Sequence, residues 1–443
     1  MTKVLFIAYH FPPVGGGGVQ RNAKFVRYLV EHGYEPIVVA GEGGGTDRWA
    51  PEDRSLLDDI GDRGEVWRIV GPEPAQGGLR GSLEWRLGLK NAHVRWWVSG
   101  VVRTGLEAGR HADLVYASLI PYETAEAAAE VARRLGKPWV ADLQDPWALD
   151  EMWLYPSAVH RAIDVRRMRK LLRSAAAVVM NTEEAAARVL RTFPELRGRL
   201  VTSIPNGFDA SDFAGEPPPR SADRFRIVHT GYLHTEHGLR LRRTRALRRL
   251  LGGSAPVDIL PRSHVYLLRA LERLLREEPE LGSVVELVLA GVTSDLDRKL
   301  AERSPIAVEL PGYLPHGQTV ELMRSASLLF LPMHALLDGS RAGLVPGKTY
   351  EYLAARRPIL AAVPLGDARD LLGEAGSAHI CSPADDEAMT RIVADAVRRW
   401  FDGKDGPTPS EAVLARYERR ELTRRLVAVF DEVVGRVCSS AAA

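Results

Sequence analysis

The sequence predicts an α/β protein built from two doubly wound, Rossmann-like domains. Short apolar runs rich in β-branched residues alternate with stretches of helical periodicity along the chain, a pattern typical of parallel sheets with crossover helices. The alternation stops at a polar, proline-rich stretch after Asn206-Gly207 and restarts at Phe225. The length of 443 residues is also about three times that of a common domain. Two successive α/β domains explain these observations together.

The first half contains a series of apolar runs of strand length, separated by stretches long enough for crossover helices. These runs are Val4–Tyr9, Pro36–Ala40, Leu114–Ala117, Trp139–Leu143, Ala177–Met180 and Val201–Ile204. After Asn206-Gly207, a turn pair, follows a polar stretch that Pro217-Pro218-Pro219 stiffens, as in connections between domains. We therefore expect a first domain over residues 1–210 and a linker over residues 211–224.

The second half repeats the alternation, which predicts a second domain over residues 225–408. The expected strands are Phe225–Thr230, Val284–Ala290, Val308–Leu310, Leu328–Pro332 and Pro358–Ala362, and the expected helices are His264–Glu278, Gln318–Ala326 and Gly347–Ala355. Apolar residues at helical spacing between Ser410 and Val437 predict a closing helix within residues 409–443. We expect this helix to return to the first domain.

The segment His234–Leu260 interrupts the second series of strands and helices. Arginines cluster between positions 240 and 249, and Gly252-Gly253-Ser254 follows them before the next apolar run. We interpret the segment as an insertion in a connection between a strand and a helix.

Composition and charge exclude several classes of protein. Apolar residues make up 45% of the chain and charged residues 26%, with 40 glycines and 28 prolines, which is close to the average for soluble globular proteins. The formal net charge of +2 gives no field that would indicate nucleic-acid binding. Cys381 and Cys438 are too few for a disulfide framework or a cysteine-based metal site and suit a reducing cytoplasm.

A glycine loop, Gly15–Gly18, follows the first expected strand and precedes a helical pattern. Glycines allow turns with positive φ and close approach of a ligand, and the free amides at a helix start favour an anion. The loop matches neither G-x-G-x-x-G nor G-x-x-x-x-G-K-[ST], so a nicotinamide-binding fold and a P-loop NTPase lose support. The remaining alternative is a plain strand-to-helix turn.

A second loop rich in glycine, Gly339–Gly347, leads into a short helix that carries Lys348 and Glu351 one turn apart. Taken alone, this pair is equally well explained as a surface ion pair. Together with the glycine loop and the Ile-Pro-Asn-Gly-Phe-Asp junction at Ile204–Asp209, the order and spacing of the motifs resemble the bacterial retaining glycosyltransferases of family 4. The resemblance covers nearly the whole chain and implies the GT-B fold, in which two Rossmann-like domains face a cleft.

The resemblance implies roles for residues of the second Gly/Pro loop and its helix. Glu351 matches the second glutamate of the family's E-x7-E motif and would bind the ribose hydroxyls of a nucleotide-sugar. The first glutamate falls at Gly343, so backbone amides from Gly343 to Gly347 would serve the sugar hydroxyls and the phosphate instead of a side chain. Lys348 then becomes a counter-ion for the diphosphate.

Other parts of the donor site are also implied by the resemblance. Arg262 is matched to the family's basic pair that holds the diphosphate; its alternative is a solvated arginine at a helix entry. The loop with Gly312 and Tyr313 is matched to the one whose backbone meets the nucleobase, and the Tyr313 ring would stack on the base. In the first domain, the donor would meet the amides of Gly16, Gly17 and Gly18.

Polar residues follow the expected strand Trp139–Leu143 at its carboxyl end, where doubly wound folds place ligands. We expect Asp142 and Gln144 on the acceptor side, and we group Asp145 with Arg262 and Lys348 as catalytic residues. Asp142 and Asp145 are equally well explained as structural residues, with Asp145 capping the following turn.

The reaction that the resemblance implies is retaining transfer of a sugar from a nucleoside-diphosphate sugar to a hydroxyl acceptor, with no metal or other cofactor. Cations and backbone amides at helix starts would stabilise the leaving diphosphate. The acceptor would be a sugar or a lipid-linked sugar in cell-surface polysaccharide or glycolipid assembly, and no nucleic acid is expected. The alternatives are a UDP-sugar 2-epimerase of the same fold and a non-catalytic protein that binds sugar nucleotides or nucleic acid.

Three stretches combine basic residues with aromatic or apolar ones: Trp85–Val98, Arg161–Arg173 and the arginine cluster within His234–Leu260. Such stretches suit an anionic lipid interface, and they equally suit the solvated faces of amphipathic helices. For the arginines within His234–Leu260, binding of the acceptor is a further alternative. We expect a cytoplasmic protein, with peripheral contact to the inner face of the membrane as an additional hypothesis.

Overall fold

The structure is a computed structural model that describes residues 1–42, 52–61, 63–71, 74, 90–219, 221–250, 256–404 and 406–441. The chain divides into two compact units, one formed by Met1–Asn206 together with Arg419–Ala443 and the other by Gly207–Glu418. Each unit has a parallel main sheet with helices on both faces, as the alternation of apolar runs predicts. None of the described helices is long and apolar enough to cross a membrane.

The strands of the first unit are β1 (Thr2–Ala8), β2 (Tyr34–Ala40), β3 (Glu65–Arg68), β4 (Leu114–Ser118), β5 (Trp139–Leu143), β6 (Ala177–Met180) and β7 (Leu200–Ser203). In the described part of this unit they form a seven-stranded sheet with the order β3-β2-β1-β4-β5-β6-β7. Strands β1 and β4 to β6 are buried and have the continuous apolar pattern that a sheet covered on both faces produces.

The helices of the first unit's N-terminal part are α1 (Gly17–Leu29), α2 (Ser55–Ile60), α3 (Ala92–Ala108), α4 (Thr124–Leu135), α5 (Ala158–Leu172) and α6 (Glu183–Thr192). Side-chain caps fix two of their starts. Asn91 accepts the Val94 backbone N–H at 2.8 Å before α3, and Thr182 accepts that of Ala185 at 3.1 Å before α6. Such caps satisfy backbone donors that would otherwise be orphaned.

The second unit contains β8 (Phe225–Thr230), β9 (Val257–Asp258), β10 (Val285–Ala290), β11 (Ala307–Gly312), β12 (Leu328–Pro332), β13 (Ala335–Leu336), β14 (Ile359–Ala362) and β15 (Ala378–Cys381). Its main parallel sheet has the order β11-β10-β8-β12-β14-β15, and β9 pairs with β13 in antiparallel orientation. Both main sheets therefore begin with the strand order of a doubly wound dinucleotide-binding fold.

The remaining helices are α7 (Thr235–Leu250), α8 (Val265–Glu277), α9 (Asp295–Glu302), α10 (His316–Ser325), α11 (Gly347–Ala354), α12 (Asp367–Ala375), α13 (Asp386–Phe401), α14 (Glu411–Arg416) and α15 (Arg419–Ala441). The segment His234–Leu260 thus contains α7 and β9, which lie between β8 and α8 in the chain. Gly252-Gly253-Ser254 lies outside the described residues.

The prediction of a single closing helix between Ser410 and Val437 is wrong, because the segment forms two helices, α14 and α15. Between these helices, the carbonyl of Tyr417 accepts the backbone N–H of Phe208 at 3.0 Å, and Glu418 forms a parallel bridge with Phe208. This pairing takes the two residues between the helices out of helical conformation.

The helix α15 packs in the first unit. Its apolar residues Leu422, Leu426 and Phe430 share a core with Phe25 of α1 and Tyr34 of β2. A second core on the opposite face of the sheet joins β4 to β6 with α3 to α6. Burial of apolar area on both faces is the main source of stability for such a layered unit.

In each unit the strand order reverses beside the first strand of the unit. This happens between β1 and β4 in the first unit and between β8 and β12 in the second. Ligands of doubly wound folds bind at the carboxyl ends of the strands at such a point. The two reversal points are therefore the places where a ligand site is expected.

Candidate functional site

Lys348 and His229 meet at the carboxyl end of β8, beside the reversal of strand order in the second unit. The Lys348 Nζ atom lies 3.3 Å from Nε2 of His229. The other ring nitrogen of His229, Nδ1, lies 3.0 Å from the carbonyl oxygen of Phe330 on β12. Because a carbonyl oxygen only accepts, Nδ1 carries the proton and Nε2 presents a lone pair to the ammonium of Lys348.

Gly231 leaves the space that the Lys348 side chain occupies. Its backbone has φ of +99°, and a Cβ atom at this position would lie 2.8 Å from Lys348 Nζ. Both the positive φ and the close approach favour glycine here. Gly231 also donates its N–H to the carbonyl of Ala290 at 2.7 Å, which fixes the loop that follows β8.

Burial and the positive charge of Arg262 lower the pKa of Lys348 to about 7, while the negative charge of Glu351 opposes the shift. Arg262 and Lys348 therefore lie close enough to repel each other. Two cations held together in this way favour an anionic ligand, because its binding would relieve the repulsion. The structure thus brings the two basic residues expected at the diphosphate into one place.

Buried histidines surround these two cations. Burial, followed by the charge of Lys348, lowers the pKa of His229, and burial followed by the charge of Arg262 lowers that of His234 to about 2. Burial also lowers the pKa of His264, against the effect of Asp297. These rings are neutral at pH 7, so the positive charge of the site comes from Lys348 and Arg262.

The start of α7 adds polar groups to the same place. His234 donates its backbone N–H to the carbonyl of Arg262 at 3.0 Å, which ties the start of α7 to the segment that leads into α8. Within the described part of the chain, the buried atoms His234 Nδ1 and Thr235 Oγ1 have no hydrogen-bond partner. Such groups are costly to bury unpaired and are suited to a polar ligand or to water.

Glu351 and Gly347 belong to α11, whose first residue is Gly347. Glu351 is half-buried and influences Lys348 through its charge. The neighbouring Tyr352 accepts the backbone N–H of Thr230 through its hydroxyl at 2.9 Å, which anchors α11 against the end of β8. The helix therefore carries Lys348 and Glu351 to the same edge of the sheet.

Three other donor-site candidates belong to this unit. Gly312 and Tyr313 lie at the end of β11, and Gly343 lies in the loop before α11. Gly312 ends β11 with φ of +77° and accepts the N–H of Gly291 through its carbonyl at 2.8 Å. Tyr313, which follows it, is 39% exposed. Gly343 is buried in the loop before α11.

The glycine loop of the first unit begins α1. Gly16 has φ of +111° and is the N-cap residue of α1. As a glycine it has no side chain that could cap the helix. Gln144 donates through Nε2 to the carbonyl of Gly18 at 3.3 Å and to Ser118 Oγ at 3.0 Å. A Cβ atom at position 18 would lie 2.7 Å from Gln144 Oε1. Gln144 therefore holds the loop against the ends of β4 and β5, while Gly17 starts the helix.

The carboxylate of Asp142 is completely buried inside the first unit. The guanidinium of Arg21 makes two hydrogen bonds to it, at 3.0 and 3.1 Å, and the Tyr116 hydroxyl makes another. Arg21 also donates to the carbonyl of Pro205 at 2.5 Å. The pair of Arg21 and Asp142 therefore joins α1 to β5 and to Pro205, an arrangement that fits the structural alternative given above for Asp142.

Asp145 lies in the turn that follows β5. Its carbonyl accepts the backbone N–H of Trp147 at 2.8 Å, and its charge helps to raise the pKa of Tyr122, for which burial is the larger cause. Trp147 has φ of +49°, an uncommon conformation for an aromatic residue. Asp145 is thus held in a packed turn of the first unit, whereas Lys348 and Arg262 belong to the second.

The stretch Trp85–Val98, expected at a membrane, lies partly outside the described residues, which resume at Lys90. Within α3, Trp97 is buried and donates its Nε1–H to Thr124 Oγ1 at 2.9 Å. This tryptophan is part of the core between α3 and α4 and is not available to a lipid surface.

Sequence reasoning missed His229 and Arg21. His229 stands inside an apolar strand, where a single histidine gives no periodic signal. Arg21 directly follows the glycine loop, and its burial could have been suspected from the apolar pattern of α1. Its partner, more than a hundred residues away in the chain, could not be inferred without the sheet order.

Residues 16–207 match a family model described as Glycosyl transferase 4-like domain. The match runs from the glycine loop to the Asn206-Gly207 junction, so it includes two of the motifs on which the resemblance rests. A comparison of the sequence with curated proteins gives no match.

Solved structures with a similar fold align with nearly the whole chain. Anabaena HepE in complex with UDP-glucose aligns with a TM-score of 0.61 and 15% identity, covering 98% of this chain and 100% of HepE. The trehalose-6-phosphate synthase of Burkholderia multivorans aligns with a TM-score of 0.59 and 16% identity, covering 100% of both chains. A Listeria monocytogenes protein described as a UDP-N-acetylglucosamine 2-epimerase aligns with a TM-score of 0.52 and 15% identity, covering 97% of this chain and 96% of that one.

The likeness to these structures establishes the GT-B fold. Together with the family match, it confirms the resemblance to glycosyltransferase family 4 and the expectation of a glycosyltransferase.

Proposed function

We propose that the protein transfers a glycosyl group from a nucleoside-diphosphate sugar to a hydroxyl acceptor, with retention of anomeric configuration and without a metal ion. The observation that carries the proposal is the convergence of Lys348, Arg262 and the loop at Gly231 at the carboxyl end of β8. Two neighbouring cations at this edge suit the diphosphate of a donor. Glu351, on the same helix as Lys348, is suited to accept hydrogen bonds from the ribose hydroxyls.

UDP is the first nucleotide to test as part of the donor. The structurally similar HepE has been solved with UDP-glucose, and both proteins share the fold. We propose that the partly exposed ring of Tyr313 stacks on the base, but stacking favours no particular nucleobase. A panel of UDP-, GDP- and ADP-sugars is therefore the appropriate set of candidate donors.

In the proposed reaction, the acceptor oxygen forms a bond to the anomeric carbon while the bond from that carbon to the β-phosphate oxygen breaks. The attack comes from the same face as the leaving group, and the acceptor proton passes to the departing phosphate. Lys348 and Arg262 stabilise the negative charge that develops on the diphosphate. Because side-chain cations serve this role, we propose that the reaction needs no divalent metal.

We further propose that the acceptor is a sugar or lipid-linked sugar of cell-surface polysaccharide or glycolipid assembly, and that the protein acts in the cytoplasm. Gln144 lies at the carboxyl end of β5, next to the glycine loop, and remains the acceptor-side candidate of the first unit. Asp145 remains the catalytic candidate of that unit.

A 2-epimerase acting on a UDP-sugar is the second candidate function. It is favoured by one observation, the likeness to the Listeria protein described as such an epimerase. An epimerase would interconvert the free nucleotide-sugar without an acceptor, so the two functions give different products from the same donor.

Proton NMR of a nucleotide-sugar panel with the purified protein separates these functions. The proposal predicts release of a nucleoside diphosphate and a product with the anomeric configuration of the donor, either by transfer to an added sugar or by slow hydrolysis. Appearance of the C2 epimer of the nucleotide-sugar would establish the epimerase instead. Binding of nucleotide-sugars without any turnover would indicate a non-catalytic binding protein.

A further inference from the structure

Two aromatic residues stack at the carboxyl edge of the first unit's sheet. Tyr122 follows β4 and Trp147 follows β5, and β4 is one of the two strands between which the strand order reverses. The two rings have an interplanar angle of 6° and centroids 5.2 Å apart. The Trp147 backbone has φ of +49°, a conformation that costs free energy for an aromatic residue. The stack therefore lies where doubly wound folds bind ligands.

A third ring, that of Trp153, belongs to the same group. Trp153 is 42% exposed and packs edge-on against Tyr122, with ring centroids 5.8 Å apart. Trp147 is buried, and its Nε1 donates to Asp164 at 3.3 Å. We call Tyr122, Trp147 and Trp153 the aromatic platform. Its exposed indole is anchored through Tyr122 to the core of the first unit.

Hydrogen bonds fix the short segment that carries Trp153. The N–H of Asp150 donates to the carbonyl of Trp147 at 3.1 Å, and that of Trp153 donates to the carbonyl of Asp150 at 3.4 Å. Asp150 Oδ1 also accepts the backbone N–H of Met152 at 2.8 Å. Because the segment is already held in one arrangement, a ligand that contacts Trp153 orders little of the chain on binding.

Two carboxylates lie beside the aromatic platform. Burial, and then the charges of Asp145 and Asp150, raise the pKa of Tyr122, so both carboxylates lie near the Tyr122 side chain. A carboxylate accepts several hydrogen bonds at once. The cation closest to the Trp147 ring is Arg167, at 5.9 Å from its centroid, and it is paired with Glu126. Acceptor groups beside an exposed aromatic ring suit a ligand that combines apolar C–H faces with hydroxyl donors, and they disfavour an anion.

We propose that the aromatic platform and Asp150 form a subsite for a sugar ring of the acceptor, and that the preferred acceptor is a neutral glycan of two or more sugars. The C–H groups on the face of a sugar ring pack on an aromatic side chain, and the hydroxyls at its edge donate to a carboxylate. The reacting sugar lies at Gln144, next to the glycine loop, and a second sugar lies at the platform. The inference rests on the proposed function, which supplies the nucleotide-sugar that reacts with this acceptor.

The exposed part of the aromatic platform is too small for a second copy of the chain. A stable protein interface takes about 800 Å² from each partner, whereas one aromatic side chain buries about 150–250 Å². Trp153 is 42% exposed, while Tyr122 is half-buried and Trp147 is buried. The platform therefore matches one sugar ring better than a protein surface.

The test is saturation-transfer NMR of the full-length protein with neutral sugars, in the absence of nucleotide. The probes are the methyl glycosides of glucose, mannose and galactose, and the α- and β-linked disaccharides formed from two units of each sugar. We expect at least one disaccharide to bind more tightly than its monosaccharide. Its ring C–H protons should receive the strongest saturation, because they contact the aromatic side chains.

Substitutions separate the aromatic and acidic parts of the subsite. W153A should weaken binding of that disaccharide at least about fivefold, and W153F, which keeps an aromatic ring, should retain most of the affinity. D150N keeps the side-chain oxygen that fixes the turn but loses the charge, and it should weaken binding about threefold or more. The matched controls lie in the second unit. They are F401A, at an aromatic residue that is 59% exposed, and D385N, at an exposed aspartate that caps α13.

The controls should bind the disaccharide like the parent protein, and thermal denaturation should show that every variant is folded. The proposal is overturned if the parent binds no disaccharide more tightly than its monosaccharide, or if W153A and D150N bind it like the parent. It is also overturned if light scattering shows that W153A dissociates an oligomer of the parent while glycan binding is unchanged, since the platform would then bind a second copy.

The two proposals fail in different ways, because these binding measurements use no nucleotide. Glycan binding that depends on Trp153, without turnover of any nucleotide-sugar, would contradict the proposed transfer and leave the glycan subsite in place. Turnover of a nucleotide-sugar, without glycan binding that depends on Trp153, would contradict the subsite alone.

Discussion

The ammonium group of Lys348 points at a histidine lone pair, with its Nζ atom 3.3 Å from Nε2 of His229. Lys348 belongs to α11 and His229 to β8, so the contact joins a helix to the neighbouring strand across the loop at Gly231. His229 is itself oriented by the Phe330 carbonyl. A neutral, fixed imidazole thus positions a lysine whose pKa is lowered by burial and by Arg262.

The affinity for nucleoside diphosphates should fall as the pH rises above 7. The free protein has Lys348 with a pKa of about 7, and a bound diphosphate would raise this pKa because it favours the charged form. Binding therefore takes up a proton above pH 7. The dissociation constant should rise by up to about tenfold per pH unit between pH 7 and the pKa of the complex, as measured by calorimetry at several pH values.

Lys348→Met provides the control for this pH dependence. The variant should bind more weakly at pH 7 and should lose the change in affinity between pH 7 and 9. A variant that keeps the full pH dependence would show that another group takes up the proton.

Gly231→Ala should weaken nucleotide binding and lower stability. The new Cβ would lie 2.8 Å from Lys348 Nζ and displace it, while the positive φ adds a backbone cost of about 1–2 kcal/mol. Gly376→Ala is the matched control, because Gly376 also has positive φ, +74°, but has nothing within 4 Å of the added Cβ. Both variants should lose stability in chemical denaturation, and only Gly231→Ala should lose affinity. Equal affinities of the two variants would contradict the role of Gly231.

Glu351→Ala should weaken nucleotide binding without unfolding the protein. Loss of hydrogen bonds to a charged acceptor costs about 1.5–3 kcal/mol, or roughly 10-fold to 150-fold in affinity. Glu374→Ala, at an exposed glutamate paired with Arg416, serves as the control. Unchanged affinity of Glu351→Ala for every nucleoside diphosphate would rule out the ribose contact.

Asp142→Asn should destabilise the first unit. The substitution leaves Arg21, which is 1% exposed, without a charged partner, and breaking a buried ion pair costs about 3–5 kcal/mol. Asp402→Asn, at an exposed aspartate paired with Lys404, should have little effect. A denaturation midpoint of Asp142→Asn close to that of the parent would show that the pair does not stabilise the unit.

Transfer activity should survive exhaustive treatment with EDTA. In the proposed reaction Lys348 and Arg262 supply the positive charge that meets the leaving diphosphate. Turnover of the active donor is compared before and after chelation. Loss of activity that Mg²⁺ or Mn²⁺ restores would contradict the proposed roles of these residues.

Apolar patterning was sufficient to predict most of the central strands. The runs at Phe225–Thr230 and Leu328–Pro332 coincide with β8 and β12, because buried parallel strands are apolar on both faces. Edge strands lack this signal. β3 has the sequence Glu-Val-Trp-Arg, and only its hydrogen bonds to β2 define it as a strand.

The candidate site was predictable where a motif carried it and not where it depends on packing. Lys348 and Glu351 follow a loop rich in glycine, so their place at a helix start could be expected. The burial of Asp142 could not be predicted, because its partners Arg21 and Tyr116 are distant in the sequence. A carboxylate at the end of a strand has the same local pattern whether it faces a ligand or an arginine of the core.

The most direct test of the central claim is calorimetric titration of UDP, GDP and ADP into the parent protein, Lys348→Met and Arg262→Gln at pH 7. Lys404→Gln, at an exposed lysine of the same unit, is the control. The account predicts that the parent and Lys404→Gln bind at least one nucleoside diphosphate alike, and that the two site variants bind it at least about tenfold more weakly. Equal affinity in all four proteins, or no binding of any nucleotide by the parent, would contradict a diphosphate site at Lys348 and Arg262.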